Sequence, residues 1–392
     1  FILLMMVFMV LLSRIPAAFD TVPLWAIPFC ILPVVMRAFF DTRTALFAHL
    51  LTTLMITMSV PDRQYDFIFI QLIAGIASIF SIVNMRNRSQ IFFSVIIIFS
   101  AYAAIFLGLQ TVEEGSLPAL DYQQLVYFAF SAFLVLLAYP LIYFFEKLFG
   151  FVSDVTLLEL SDTNHPLLRE LASKAPGTFQ HSLQISNLAE EAIHRIGGNA
   201  LLVRAGSLYH DIGKADMPMY FIENKVGDVN PHDELSFEES ARIIISHVEI
   251  GIEKAKAARL PDPVIDFIRT HHGTTNTAYF LTMYKLNNPE QAVNEELFRY
   301  PGPLPFSKET AVVMMADSVE AASRSLPRYD LAAIDDLVDR IIGNQMEQEQ
   351  FNNADITLRD IAQIKIIFKK KENGEYTKHG KHSDPERKQR KP

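Results

Sequence analysis

Six apolar runs occupy the first 150 residues, at about 1–12, 22–36, 44–60, 66–83, 91–110 and 123–145. In lipid a stretch of roughly 20 apolar residues has to satisfy its backbone polar groups internally, so these runs predict membrane-spanning helices. The first run is too short to cross, and the chain opens on Phe1 rather than Met, as a fragment without its beginning would. From residue 151 onward the composition has the mixed charge of a soluble domain. The chain is therefore built for two solvents.

Loop charge gives an orientation, because Arg and Lys concentrate on the cytoplasmic side of a membrane. The loops after the second and fourth runs carry Arg37, Arg43, Arg86 and Arg88, and Lys147 follows the sixth. The loops after the first, third and fifth hold only Arg14 and Arg63, against Asp20, Asp62, Asp66, Glu113, Glu114 and Asp121. Six crossings then leave the soluble half in the cytoplasm. The single cysteine, Cys30, lies in an apolar run, so no disulfide can form within the chain, and a cysteine-free soluble half suits a reducing compartment. The net charge of -9 and the lack of a dense basic face argue against a nucleic-acid polymer as partner.

The bundle itself reads as an anchor or a signal-transmitting element. His49 is the one ionisable residue well inside a run, and it reads as a structural histidine. A transporter would need polar or broken spans. Residues 146–176 read as a helical linker able to couple the bundle to the soluble domain, with Asn164-His165-Pro166 ending one helix and starting the next. His165 at that turn reads as structural.

The soluble domain, 177–370, reads as all-helical, since apolar residues recur at three and four rather than alternating. Histidines and aspartates fall on its apolar faces. His181 shares a stripe with Ile185, Leu188 and Ala192; His210 and Asp211 end a helix ahead of Gly213; His247 lies between Ile243 and Ile250. His271 and His272 close a helix whose inner face includes Val264, Phe267 and Ile268, and Asp317 sits four residues from both Val313 and Ala321. One such histidine alone would be an ordinary core residue. Five histidines and two aspartates on the inner faces of one small domain would be too costly to bury unless cations tie them together.

These residues carry a resemblance. An early His181, the adjacent His210-Asp211 and the later Asp317 resemble the HD-domain metal-dependent phosphohydrolases, and the additional His247 and His271-His272 resemble the subset that binds two metals. With a multi-span bundle ahead of it, the chain is similar to the bacterial seven-transmembrane HD proteins that hydrolyse cyclic di-AMP. The supporting stretches are Ala175-Pro-Gly-Thr-Phe-Gln-His-Ser182, His210-Asp-Ile-Gly-Lys214, Asn230-Pro-His-Asp233, His271-His-Gly-Thr274 and Ala316-Asp-Ser-Val-Glu320. The resemblance implies a metal-dependent phosphodiesterase in the bacterial cell membrane. Its HD domain would be cytoplasmic and its product linear pApA. It also implies a further span and an extracytoplasmic sensor domain ahead of the bundle. A homodimer is a further expectation.

The ligand set implies the chemistry. A first metal would take His181, His210, Asp211 and Asp317, and a second Asp211, His247, His271 and His272, with Asp211 and a hydroxide bridging. Two cations ~3.5–4 Å apart acidify a water and stabilise the charge of an in-line displacement. Mixed nitrogen and oxygen ligation, like the family, favours iron or manganese over magnesium. Lys214 would meet a nonbridging phosphate oxygen, and Thr274 and Arg324 are weaker candidates for substrate contact. Residues 215–236 read as a lid-like loop ordered by His232 and Asp233, and His194 as solvated.

Alternatives remain at this point. The cyclic di-GMP branch carries Gly-Tyr-Pro after His-His-Glu, whereas this chain has His271-His-Gly-Thr274. Guanosine tetraphosphate or another nucleotide would suit the same metals. A non-catalytic nucleotide-binding receptor would have no need of all seven ligands. The tail from Lys369, with nine Lys or Arg against four Asp or Glu, reads as disordered, 371–392 above all.

Overall fold

The computed structural model describes residues 1–18, 23–58, 63–82, 90–114, 121–225, 227, 230–290, 292–326 and 330–379. Among them the chain is all-α, with one isolated bridge between Asn276 and Arg299. A bundle of apolar helices is followed in the chain by a second all-helical unit, the two dividing at Thr156/Leu157. Arg86, Arg88, Asp20 and Asp62, used for orientation, lie outside the described residues.

The first unit contains α1 (Ile2–Leu12), α2 (Ile15–Ala18), α3 (Ile31–Phe39), α4 (Thr42–Thr57), α5 (Gln64–Ser81), α6 (Gln90–Glu114), α7 (Tyr122–Leu134) and α8 (Ala138–Phe149). Among the described residues three stretches are long and apolar enough to cross a membrane. They are Gln64–Ser81, Phe92–Glu113 and Tyr122–Phe149, the last joining α7 to α8 through a 3-10 turn at Val135–Leu137. The runs at 1–12 and 44–60 fall in α1 and α4, which are shorter than these three. The run at 22–36 is broken because Pro28 forces Ile27 into extended backbone, so α3 begins only at Ile31. Inside the bundle Tyr102 stacks on Phe128 at 5.1 Å, and Trp25 packs against both Phe67 and Phe128 at 5.7 Å. His49 is buried, with Nε2 2.9 Å from the Gln71 carbonyl oxygen, which satisfies it as a core residue.

The second unit begins within α9 (Asp154–Leu160) and contains α10 (Pro166–Lys174), α11 (Pro176–Ile196), α12 (Ala200–Tyr209), α13 (Phe237–Ala257), α14 (Asp262–Thr270), α15 (Ala278–Asn287), α16 (Lys308–Ser323), α17 (Leu331–Glu347) and α18 (Leu358–His379). Pro166 sits in the first turn of α10, where its missing N–H costs no bond. Ser307 and Thr310 close a capping box that starts α16. That helix is apolar nearly all round and buried from Thr310 to Asp317, so it forms the middle of the domain. It shares one core with Ile185, Leu188 and Ala192 of α11, Phe267 of α14, Val338 and Ile342 of α17 and Phe368 of α18. Each of the larger of these side chains contributes ~1.5–3 kcal/mol by leaving water.

The disorder expected from Lys369 does not begin there. Helix α18 runs on to His379, and ion pairs from Lys369 to Asp339 (2.6 Å) and from Lys371 to Glu191 (2.7 Å) hold its basic face to α17 and α11. Residues 380–392 lie outside the described residues.

Candidate metal centre

Five helices and the turns that end them bring the seven residues picked out in the sequence to one place. His181 comes from the second turn of α11, His210 caps α12 with Asp211 next to it, His247 lies in the middle of α13, His271 caps α14, and Asp317 lies in α16. Two glycines permit the approach. A Cβ on Gly213 would stand 1.9 Å from the His247 carbonyl oxygen, so only glycine lets the turn after Asp211 lie against α13. Gly273, at φ +51, takes the left-handed conformation that ends the chain's turn after His272.

The imidazoles are aimed by their second nitrogens. Nδ1 of His210 donates to the Ser207 carbonyl (2.6 Å), that of His247 to Ile244 (2.5 Å) and that of His271 to Ile268 (2.9 Å), in each case three residues back. This assigns the proton to Nδ1 and turns Nε2 inward. His181 differs, since its Nδ1 bonds the carboxylate of Glu320. His272, partly exposed, stacks on Tyr300 with ring centroids 4.2 Å apart.

Asp211 lies at the centre and is 1% exposed. Its Oδ2 stands 3.1 Å from Nε2 of His210 and 3.7 Å from that of His181, while its Oδ1 stands 3.3 Å from Nε2 of His247 and 3.5 Å from that of His271. Asp317 Oδ1 is 2.9 Å from His181 Nε2, and its Oδ2 is 3.7 Å from His272 Nδ1. The ligand atoms fall into two groups, each within 4.8 Å: His181, His210, Asp211 and Asp317, then His247, His271 and His272.

The electrostatics match a site made for cations. Burial would push the Asp211 carboxyl up, but His210 and Lys214 outweigh it and hold it well below the usual carboxylate range. Asp317 is likewise held low against its burial by His181 and His210. Burial, with His271 beside it, keeps His272 well below the ordinary imidazole value, and burial keeps His271 low too. Oδ1 of Asp211 and Nε2 of His210 are buried without a well-directed hydrogen bond, and Oδ2 of Asp211 is met by the Lys214 ammonium. Buried polar atoms need partners, and two carboxylates among five imidazoles form a donor set for transition metals. The residues present fit such ions.

The remaining candidates have other partners. Lys214 places Nζ 2.7 Å from Asp211 Oδ2 and 3.1 Å from Glu223 Oε1. Thr274 donates its amide to Gln350 Oε1 at 3.0 Å, and Arg324 bonds Glu320 and Gln184. His232 and Asp233 join neither ligand group: His232 Nε2 is 3.0 Å from the Tyr220 carbonyl oxygen, and Asp233 accepts from Asn230. His165 sets its ring edge-on to Tyr209, and His194 is exposed. Sequence reasoning missed Glu320, Glu223 and Tyr300. Glu320 had a signal, since it follows Asp317 by three on the same helix face; Glu223 lies in a three-residue 3-10 turn and Tyr300 in a loop, too short or irregular for periodicity to mark a face.

Comparison with known proteins agrees with this geometry. Residues 1–153 match the family model of 7TM receptors with an intracellular HD hydrolase, and residues 178–322 match the HD domain. The cyclic-di-AMP phosphodiesterase PgpH of Listeria monocytogenes is 37% identical over 357 residues, covering 89% of this chain and 49% of that protein. PgpH of Bacillus subtilis is 38% identical over 299 residues, 75% of this chain and 41% of that one. The chain thus spans about half the length of these curated relatives. The crystal structure of the L. monocytogenes PgpH HD domain in complex with cyclic-di-AMP aligns with a TM-score of 0.53 and 45% identity, over 55% of this chain and 100% of that chain. The chain belongs to the family of seven-transmembrane receptors with an intracellular HD hydrolase domain, the family of the PgpH proteins.

Proposed function

We propose that the protein is a membrane-anchored, metal-dependent phosphodiesterase that opens cyclic di-AMP to linear pApA. The position of Asp211 carries this reading: its two oxygens face two different histidine groups, in a domain 45% identical to one solved with cyclic-di-AMP. His181, His210, Asp211 and Asp317 would hold one divalent cation, and Asp211, His247, His271 and His272 a second. Iron or manganese bound there supplies an acidified water as nucleophile and neutralises phosphoryl charge.

The chain's own groups prepare that chemistry. The Nδ1 protons of His210, His247 and His271 are held by backbone carbonyls, which leaves Nε2 as the ligand atom. Lys214 is largely shielded beside Asp211, with 11% of its side chain exposed, so its charge is weakly screened and would be available to a nonbridging oxygen of the substrate. Thr274 and Arg324 would reach substrate only by exchanging their bonds to Gln350 and Glu320.

The bundle would anchor the enzyme in the bacterial cell membrane with the HD domain on the cytoplasmic side. Arg37 and Arg43 lie at the end of α3 and the start of α4, and Lys147 near the end of α8, whereas Arg63 lies alone among basic residues at the start of α5; this bias of Lys and Arg supports that orientation.

The test is turnover of cyclic di-AMP and cyclic di-GMP, side by side, by the full chain in detergent reconstituted with manganese or iron. Selective formation of pApA, lost in Asp211→Asn, is expected. A folded, metal-loaded protein that cleaves neither substrate overturns the proposal.

A further inference from the structure

His181 is the one inward-facing imidazole of the first group whose Nδ1 is held by a side chain. Its neighbour His210 uses a carbonyl of its own helix, whereas His181 of α11 reaches across to α16. There Asp317 and Glu320, three residues apart on one face, grip opposite nitrogens of the same ring: Asp317 Oδ1 is 2.9 Å from Nε2, and Glu320 Oε2 bonds Nδ1.

Glu320 is 4% exposed, and a buried carboxylate needs compensation. Arg324, one turn further along α16, provides it. Its Nε lies 2.8 Å from Glu320 Oε1, Nη2 bonds the same oxygen, and Nη2 also lies 3.0 Å from Gln184 Oε1. Gln184 follows His181 by three on α11. His181, Glu320, Arg324 and Gln184 therefore form a chain of contacts that crosses from α11 to α16 and back.

We propose that Glu320 is a positioning residue of the metal centre, which takes the Nδ1–H of His181 and so presents Nε2 as a ligand, and that Arg324 acts through Glu320. The inference rests on the metal reading of the site. A carboxylate behind a ligating imidazole fixes its tautomer and raises its basicity, and losing it typically costs 10–100-fold in metal affinity. Arg324 then has a role at the back of the site rather than on the substrate.

The test is Mn(II) titration of the full chain in detergent by calorimetry, with melting of the metal-free protein alongside, for wild type, Glu320→Gln, Arg324→Met and His247→Ala. The expected result is a loss of roughly 10–100-fold in affinity for one of two ions in Glu320→Gln. Arg324→Met should show a smaller loss at the same site, and His247→Ala a loss at the other. Metal-free melting should stay within a few degrees of wild type. Unchanged Mn(II) affinity in Glu320→Gln overturns the proposal, as does equal weakening of both sites together with a fall in metal-free melting, which would mark a packing role. If Glu320→Gln does not fold, unchanged affinity in Arg324→Met overturns it. If wild type binds no Mn(II), the metal reading fails, and this inference with it.

Discussion

Lys214 holds its ammonium 2.7 Å from Oδ2 of Asp211, the residue three before it. The same Nζ is 3.1 Å from Glu223, and burial, which would lower it, is outweighed by Asp211 so that Lys214 stays charged. Under the proposed function, cations held by Asp211 would free that charge to meet a phosphodiester oxygen. Lys214→Met should therefore lower kcat/KM by ~2 kcal/mol, roughly 30-fold, the worth of one charge-assisted hydrogen bond. Metal content measured by mass spectrometry should not fall; a variant with wild-type kcat/KM would remove Lys214 from the chemistry.

Asp211 is the only one of the seven residues whose two oxygens face different histidine groups at hydrogen-bonding range. Asp211→Asn keeps its volume but offers one neutral oxygen. The variant should retain at most one manganese per chain where wild type retains two. Metal analysis after gel filtration decides this, and two retained ions would show that the groups load independently of Asp211.

Protons should compete with the metal. Burial acts against the His210 imidazolium, but Asp211 outweighs it and raises His210 to about 10 in the metal-free protein. The raised value means that the His210–Asp211 pair adds stability fully below the ordinary imidazole pKa of ~6.5 and loses it as pH rises through about 10. Metal binding has the opposite dependence, because ligation needs the neutral nitrogen. Mn(II) affinity should rise by up to ~10-fold per pH unit between 7 and 9, with release of about one proton. Calorimetry in two buffers of different ionisation enthalpy measures that release; identical heats would contradict it.

Gly213 keeps the turn after Asp211 against α13. Gly213→Ala would put a methyl 1.9 Å from the His247 carbonyl oxygen, which is backbone and cannot step aside. The substitution should destabilise the domain by ~1–3 kcal/mol and lower metal affinity as well. A melting temperature within one degree of wild type would mean that the turn has room the structure does not show.

Much of this protein was legible in its sequence because two local signals are strong. Apolar runs mark membrane helices, since lipid offers backbone groups no partner, and polar residues on apolar helix faces mark a site, since burying them needs a reason. Both signals depend only on spacing along one helix, so His181, His210, His247 and Asp317 could be nominated one by one, and the break at Asn164-His165-Pro166 placed. Span lengths were less legible, because the extended backbone before Pro28 and the 3-10 turn at Val135–Leu137 depend on local chain geometry within apolar runs.

The tertiary structure decided what lies across from what. That Asp211 divides its oxygens between two histidine groups, that Lys214 meets Glu223, and that Glu320 rather than a backbone carbonyl holds His181 are facts about contacts between residues 9 to 139 positions apart. It also turned Arg324 toward Glu320 and Thr274 toward Gln350. Periodicity tells which way a side chain leaves its own helix. Only the packing of α11 against α16 tells what it meets.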